Sequence, residues 1–202
     1  MKFALKKSLC ILLSALLSAS LFAACSQDTD ESSSADESSS SQVVETMVKI
    51  QIPASFFEGS SLEEIEKTAK KQGATSVTQE KNGDICYQMT ATAHRRLVTE
   101  MRMNLKDSVE ELLDDERYPS IHQISVSDDF STLTLTVDKE AYQKGNDRTI
   151  TRAIWPSIQL YHYFNQDYEE HPSMMVKVLN KEDNSKVEEF EWPEPEEESK
   201  NE

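Results

Sequence analysis

The side chains best suited to acid–base, nucleophilic or metal chemistry are few in this chain. There are four histidines, His94, His122, His162 and His171, and three cysteines, Cys10, Cys25 and Cys86. No His-Glu-x-x-His arrangement occurs, and no two cysteines stand at metal-ligand spacing, so no ready zinc signature exists. The most promising pair is His162 and His171. A chain reversal after Phe164 would bring the two imidazoles together near Asp167, Glu169 or Glu170. Imidazole with carboxylate is a donor set for a transition-metal ion. The competing interpretation is a polar loop that follows an amphipathic helix. Cys86 and His94 suggest a thiol–imidazole pair, which would favour the thiolate. The alternation of the surrounding residues, however, turns Cys86 away from Ile85 and Tyr87, and a buried small Cys or an inert surface thiol is the simpler expectation.

Charge and aromatic clusters offer further candidates. Glu110, Glu111, Asp114, Asp115 and Glu116 crowd the end of a long helical pattern, and Asp128-Asp129 follow in a turn. Acids at a helix C-terminus oppose its dipole, so a cation such as Ca²⁺ could compensate, although the spacing is not that of an EF-hand loop. The default is a solvated acidic face. His94-Arg95-Arg96 at the start of the same helix is the mirror case. Arg95 and Arg96 could hold an anion or an acidic partner, or pair with acids elsewhere in the protein. Trp155, Tyr161, Tyr163, Phe164 and Tyr168 form an aromatic cluster. Trp155, Tyr161 and Tyr163 are binding candidates because such rings combine large area with a polar tip. Tyr161, Tyr163 and Phe164 lie within four residues, so they cannot all face one core on a helix. Nothing here assembles a catalytic constellation, and no cofactor is implied.

These residues must be positioned by regular elements. Val44 to Ile52 alternates as a strand and is ended by Pro53. Ser60-Ser61 before Glu63-Glu64 is a capping-box signal for a helix that carries Leu62, Ile65 and Ala69 on one face and stops at Gly73. Strands over residues 75–80 and 84–90 are joined across Lys81-Asn82-Gly83, an Asn-Gly hairpin signal. Ala93 to about Leu113 is the longest helix, striped by Leu97, Val98, Met101, Leu105, Val109 and Leu112. A second hairpin is expected over residues 121–127 and 132–138. Thr149 to Phe164 is helical by pattern, with a kink or break expected at Pro156. A strand starting at Met174 is expected to pair with Lys186–Phe190. Hairpins dominate, so the fold class is α+β: a mainly antiparallel sheet built from hairpins, with about three helices on one face.

Composition bounds the function. The 202-residue chain carries a formal net charge of -16, which argues against nucleic acid as a partner because phosphate binding needs surplus Lys and Arg. The four glycines stand ten or more positions apart, so no Gly-rich phosphate loop can form. Lys2, Lys6 and Lys7 precede an apolar run from Leu9 to Phe22, then Ala23-Ala24-Cys25, the layout of a secretory signal. The run is short for a membrane span, which needs about 20 apolar residues. Residues 26–42 contain eight Ser and five acids with no basic or branched aliphatic residue, a composition that predicts a disordered tether. Its mean reach would be about 20–25 Å. Cys10 and Cys25 belong to the leader and its end, so Cys86 has no intramolecular disulfide partner. The expected organisation is a signal peptide over residues 1–24, Cys25 with the tether to residue 42, one domain over 43–180, and a last strand with an acidic tail over 181–202.

Two resemblances sharpen this. Leu21-Phe22-Ala23-Ala24-Cys25 resembles a bacterial lipoprotein signal, in which the Cys is lipidated and becomes the first mature residue. Phe22 stands where Leu is usual. The segments Val48-Lys-Ile-Gln-Ile-Pro-Ala-Ser-Phe-Phe-Glu-Gly59, Leu62-Glu-Glu-Ile65 with Gly73, and Asp129-Phe-Ser-Thr-Leu-Thr-Leu-Thr-Val-Asp-Lys-Glu-Ala-Tyr142 resemble small, uncharacterised surface lipoproteins of Gram-positive bacteria. The likeness covers most of residues 43–181. Trp155-Pro156 departs from the plain helix such proteins tend to have, and the acidic tail is denser. The resemblance implies a location and a fold class, and no reaction or functional residues. The expected function is therefore a lipid-anchored, exported binding or interaction module on the outer face of the plasma membrane. Its partners would be the membrane, through lipid on Cys25, and a cell-envelope protein or small ligand. Two alternatives stay open: a cell-envelope enzyme or enzyme accessory with a site near His162 and His171, and a structural surface spacer.

Overall fold

Short-range chemistry sets the first elements. The computed structural model describes residues 45–114 and 116–194. The leader, Cys25, the tether, Asp115 and the acidic run from residue 195 lie outside the described residues, as does the side chain of Asp114. Strand β1 (Met47–Ile52) leads through a short 3-10 turn to helix α1 (Leu62–Lys71). Ser61 caps α1 reciprocally: its hydroxyl accepts from the Glu64 N–H at 3.3 Å, and the Glu64 carboxylate accepts from the Ser61 N–H at 2.9 Å. Gly73 ends the helix with φ +98°, and a Cβ there would sit 3.1 Å from the Ala93 Cβ. The position demands glycine both for its backbone and for the close passage of the next helix.

Strands β2 (Ala74–Gln79) and β3 (Ile85–Thr90) form the first expected hairpin. The Gly83 N–H donates to the Glu80 carbonyl and the Glu80 N–H to the Asp84 carbonyl, closing a short loop with Gly83 at φ +92°. Helix α2 (Ala91–Glu111) follows at once, capped by the Thr90 hydroxyl, which accepts from the Ala93 N–H. Strands β4 (Ile121–Val126) and β5 (Thr132–Val137) make the second hairpin. A six-residue helix, α3 (Lys139–Lys144), capped by Asp138, was not expected from periodicity, which needs a longer run to show. Helix α4 (Ile150–Asn165) is continuous through Pro156. The carbonyl four residues earlier, on Arg152, loses its helical donor, but Arg152 is exposed and water can replace the bond. Strands β6 (Met174–Asn180) and β7 (Lys186–Trp192) are the last regular elements among the described residues.

The fold is α+β. The hairpins divide between two sheets instead of extending one. The first has order β1-β3-β2, with both neighbours antiparallel to β3. With β3 flanked on both sides, a later strand could join this sheet only at the β1 or β2 edge. Helix α2 also carries the chain about 30 Å along its axis before β4 begins. The second sheet has order β4-β5-β6-β7 and contains one parallel pairing, β5 with β6, in the register Leu133↔Val176 and Leu135↔Val178. The crossover between them is α3 and α4, as a parallel pair requires.

Each sheet has its own apolar core. The larger joins the inner face of β4–β7 to Leu105 and Val109 of α2 and to Ile150, Ile154, Trp155, Ile158 and Tyr161 of α4. The smaller joins Ile50, Ile52, Val77, Ile85, Tyr87 and Met89 to Ile65 and Ala69 of α1, Leu97 of α2 and Phe164 of α4. Val98 and Met101 pack against both. The edge strand β7 is fastened from beneath. Arg148 lies 3.8 Å over the Phe190 ring and pairs with Glu194, while the Tyr142 hydroxyl donates to Glu188. Buried Asp147 accepts from both the backbone N–H and the hydroxyl of Ser120, tying the start of β4 to the start of α4. Among the described residues, no helix is long and apolar enough to cross a membrane.

Candidate functional site

Four consecutive rings at the end of α4 diverge, because each residue of a helix turns about 100° from the last. Tyr161 enters the larger core, edge-on to Phe130 at 4.8 Å, and its hydroxyl accepts from Arg102. Phe164 enters the smaller core, edge-on to Tyr87 at 5.5 Å. Tyr163 stays half-buried at the surface, stacked on Tyr168 at 4.1 Å with an interplanar angle of 13° and edge-on to Phe56 at 5.5 Å. His162 is fully buried and faces the turn that follows the helix.

That turn is built by backbone hydrogen bonds. Gln166 adopts the left-handed conformation (φ 63°), its N–H donates to the Tyr163 carbonyl, and the Asp167 N–H donates back to the His162 carbonyl, a Schellman closure. The Asp167 carbonyl then accepts from the N–H groups of Glu170 and His171. The chain is thereby returned over α4. The His162 and His171 ring centroids come within 4.9 Å, tilted by 36°. The Asp167 carboxylate lies 2.9 Å from Nδ1 of His162 and also accepts from the Asn165 amide at 2.6 Å. A carboxylate only accepts, so Nδ1 carries the proton and a neutral ring holds its lone pair at Nε2. Nε2 is buried and has no hydrogen-bond partner.

Two longer contacts lock the site to the smaller sheet. His94 Nε2 stands 2.7 Å from the Phe164 carbonyl, to which it must donate, so the first turn of α2 caps the end of α4. The Gln166 amide donates to the Lys49 carbonyl of β1 at 2.8 Å. Gln159 donates to the Tyr168 hydroxyl, orienting the stacked ring. Burial, reinforced by the neighbouring Tyr168, pushes the Tyr163 phenol up to about 12.

The structure sorts the residues singled out from sequence. Of the carboxylates proposed near His162 and His171, Asp167 makes the contact. Trp155 and Tyr161 are core residues, 7% and 1% exposed, which removes them from any contact surface of the folded domain. Their positions on the α4 stripe face the larger sheet, a preference that a cluster of aromatics conceals in sequence. Tyr163 remains at the surface. Arg95 and Arg96 are exposed on the first turns of α2, where the Arg96 guanidinium lies beside Gly73 at the end of α1 and 3.8 Å from Glu100. His94 is part-buried and engaged by the Phe164 carbonyl, on the helix that packs on the core face of the first sheet through Leu97. Cys86 points to the opposite face and contacts the Tyr87 carbonyl, so the two form no catalytic pair. Asp128 pairs with Lys106 at 2.8 Å. The Asp129 carboxylate accepts from Ser127 and Ser131, which holds it well below the usual carboxylate range. Both acids are therefore engaged within the chain. Among the described residues, no three His, Cys, Asp or Glu side chains form a metal-holding group. Sequence pattern does not place Phe56, Gln159 or Asn165 at the site, where the structure brings them. Phe56 arrives from over a hundred residues away, and the other two act through hydrogen bonds that leave no sequence pattern.

The arrangement defines an α+β domain with two cores that share α4, and with an aromatic and imidazole surface where that helix ends. Comparison with protein-family models, with curated proteins and with solved structures returns no match.

Proposed function

We propose that this chain is a lipid-anchored binding module held at the outer face of a bacterial plasma membrane, akin to small Gram-positive surface lipoproteins. The observation that carries the proposal is the order of segments: Lys2, Lys6 and Lys7, the apolar run to Phe22, Ala23-Ala24-Cys25, and then a Ser/Asp/Glu tether before the folded domain. Lipid on Cys25 supplies the anchor, and the tether supplies stand-off from an anionic surface, which the chain's net charge reinforces. The contact surface is the end of α4, where Tyr163, Tyr168 and Phe56 offer partly exposed rings and Arg95 and Arg96 lie on the adjoining turn of α2. The partner is an envelope protein or a small ligand.

Cys25→Ala tests the anchor. The variant is expected to leave the membrane fraction of cells and appear in the soluble or medium fraction. Its retention on membranes would refute lipidation at Cys25. Tyr168→Ala tests the surface: it should still fold cooperatively, with a modestly lower melting temperature, and keep its membrane location, yet fail to complement a deletion of the gene. Full complementation would move the contact surface elsewhere.

A second reading, an envelope enzyme or enzyme accessory at His162 and His171, is favoured by one observation. Asp167 orients His162 as a carboxylate orients a working imidazole. It predicts that His171→Asn and Tyr168→Ala fail in complementation alike, whereas the binding surface alone predicts failure of the tyrosine variant only.

A further inference from the structure

We infer that His162 and His171 together form a binding site for a divalent transition-metal ion of the Zn²⁺ or Cu²⁺ class, with solvent completing the coordination. Four observations converge. His162 is fully buried, yet its Nε2 has no hydrogen-bond partner, and leaving a buried polar atom unsatisfied is costly. Its Nδ1 is committed to Asp167, which fixes the tautomer that leaves the Nε2 lone pair available. A carboxylate on the far nitrogen is the outer partner that ligating histidines ordinarily have, and it raises the basicity of the donor nitrogen. Asn165 holds that carboxylate in turn. The second imidazole, His171, is already in ring contact at 4.9 Å. Two imidazoles bound through nitrogen to one ion at about 2.1 Å place their centroids roughly 5 Å apart, a separation these two rings already have.

The choice of metal follows from the donors. Neutral imidazole suits Zn²⁺, Cu²⁺ and Ni²⁺, whereas Ca²⁺ and Mg²⁺ require oxygen ligands that this pair does not supply. Only two protein side chains ligate, so the ion keeps open positions for water or for an oxygen or nitrogen of a bound partner. His171 is partly exposed and covers the buried ring, so its side chain is the one that must move to admit the ion. The site adjoins Tyr168, whose carbonyl also accepts from the His171 N–H. Metal occupancy and the aromatic surface therefore share one turn of chain.

The test is titration of Zn²⁺ into the purified full chain. Heat of binding and the ring resonances of the four histidines are followed together. One equivalent is expected to bind saturably, shifting the His162 and His171 ring signals and leaving those of His94 and His122 in place. His171→Asn should weaken binding by roughly tenfold or more, and Asp167→Asn by about 10–100-fold. Because His162 is buried, His162→Ala could unfold the chain. His171→Asn avoids this difficulty and is expected to keep the metal-free melting temperature. The acidic chain will also collect cations loosely, and His171→Asn measures that background. Absence of saturable Zn²⁺ binding below millimolar concentration, or binding unchanged in His171→Asn, would overturn the site.

Discussion

The two halves of the domain solve the same burial problem differently. The four-stranded half takes Leu105 and Val109 from α2 and is otherwise filled from its own span. Its crossover helices come from within it, its inner face is filled by Leu133, Leu135, Val137, Val176 and Val178, and its edge strand is pinned by Arg148. The three-stranded half has only the ten-residue α1 of its own to cover the sheet. It completes its core with Leu97, borrowed from α2, and Phe164, borrowed from the last turn of α4. A small sheet that borrows apolar area ties its stability to the lender. The borrowed segment of α4 also carries His162 and Tyr163, so the candidate site sits where the two halves depend on one another.

The largest effects should come from the rings that serve each core. Tyr161→Ala and Phe164→Ala should each lower stability by about 3–5 kcal/mol, measured as a shift in urea midpoint. The informative feature is the shape of the Phe164→Ala transition. A single cooperative step means that the smaller half cannot persist without its borrowed ring. Two separate steps, or an unmoved midpoint, would show that it stands alone.

Asp147→Ala comes next and acts within the larger half. It strands the buried N–H and hydroxyl of Ser120, at a cost of about 1–3 kcal/mol for each unsatisfied group. Ser61→Ala is the counterpart in the smaller half. Losing one capping hydroxyl should cost about 1 kcal/mol, visible as faster amide exchange in α1. If Ser61→Ala destabilised the protein as much as Asp147→Ala, the contrast between a braced half and a borrowing half would fail.

Acid sensitivity is the smallest and most distributed effect. Carboxylates are depressed in both halves, Asp84 by Gln51 and Asn82, and Asp129 by Ser127 and Ser131. A carboxyl whose folded pKa lies below its unfolded value adds stability that is complete above the ordinary carboxylate range. That stability is lost as pH falls through the folded value. The urea midpoint should therefore drop between pH 7 and pH 3, and the drop should be smaller in Asp129→Asn. An equal drop in variant and wild type would mean that the hydroxyl and amide bonds to Asp129 do not survive in solution.

Legibility in the sequence followed the range of the interaction. The Ser61–Glu64 cap and the Gly83 turn were legible because both partners lie within four residues. The α2 stripe was legible because 21 residues repeat its period many times. The parallel β5–β6 pairing was not, since hairpin spacing carries no information about which hairpins become neighbours across a crossover. The continuity of α4 through Pro156 depended on the exposure of Arg152, a tertiary fact. At the site, the sequence makes the meeting of His162 and His171 conditional on a turn. The turn itself is written in backbone bonds around Gln166 and Asp167, and side-chain types specify these weakly. Tyr161 and Tyr163 look interchangeable in sequence. Two positions of helical rotation place one in a core and the other on the surface.

Native-state hydrogen exchange addresses the interdependence of the halves most directly. Amides of β3, of β5 and of residues 158–165 in α4 should open with the same free energy, close to that of global unfolding, because α4 closes both cores. If β3 instead exchanged through an opening smaller by more than about 2 kcal/mol while β5 and α4 stayed protected, the smaller half would be an independent unit, and α4 would not be the shared support on which the site is built.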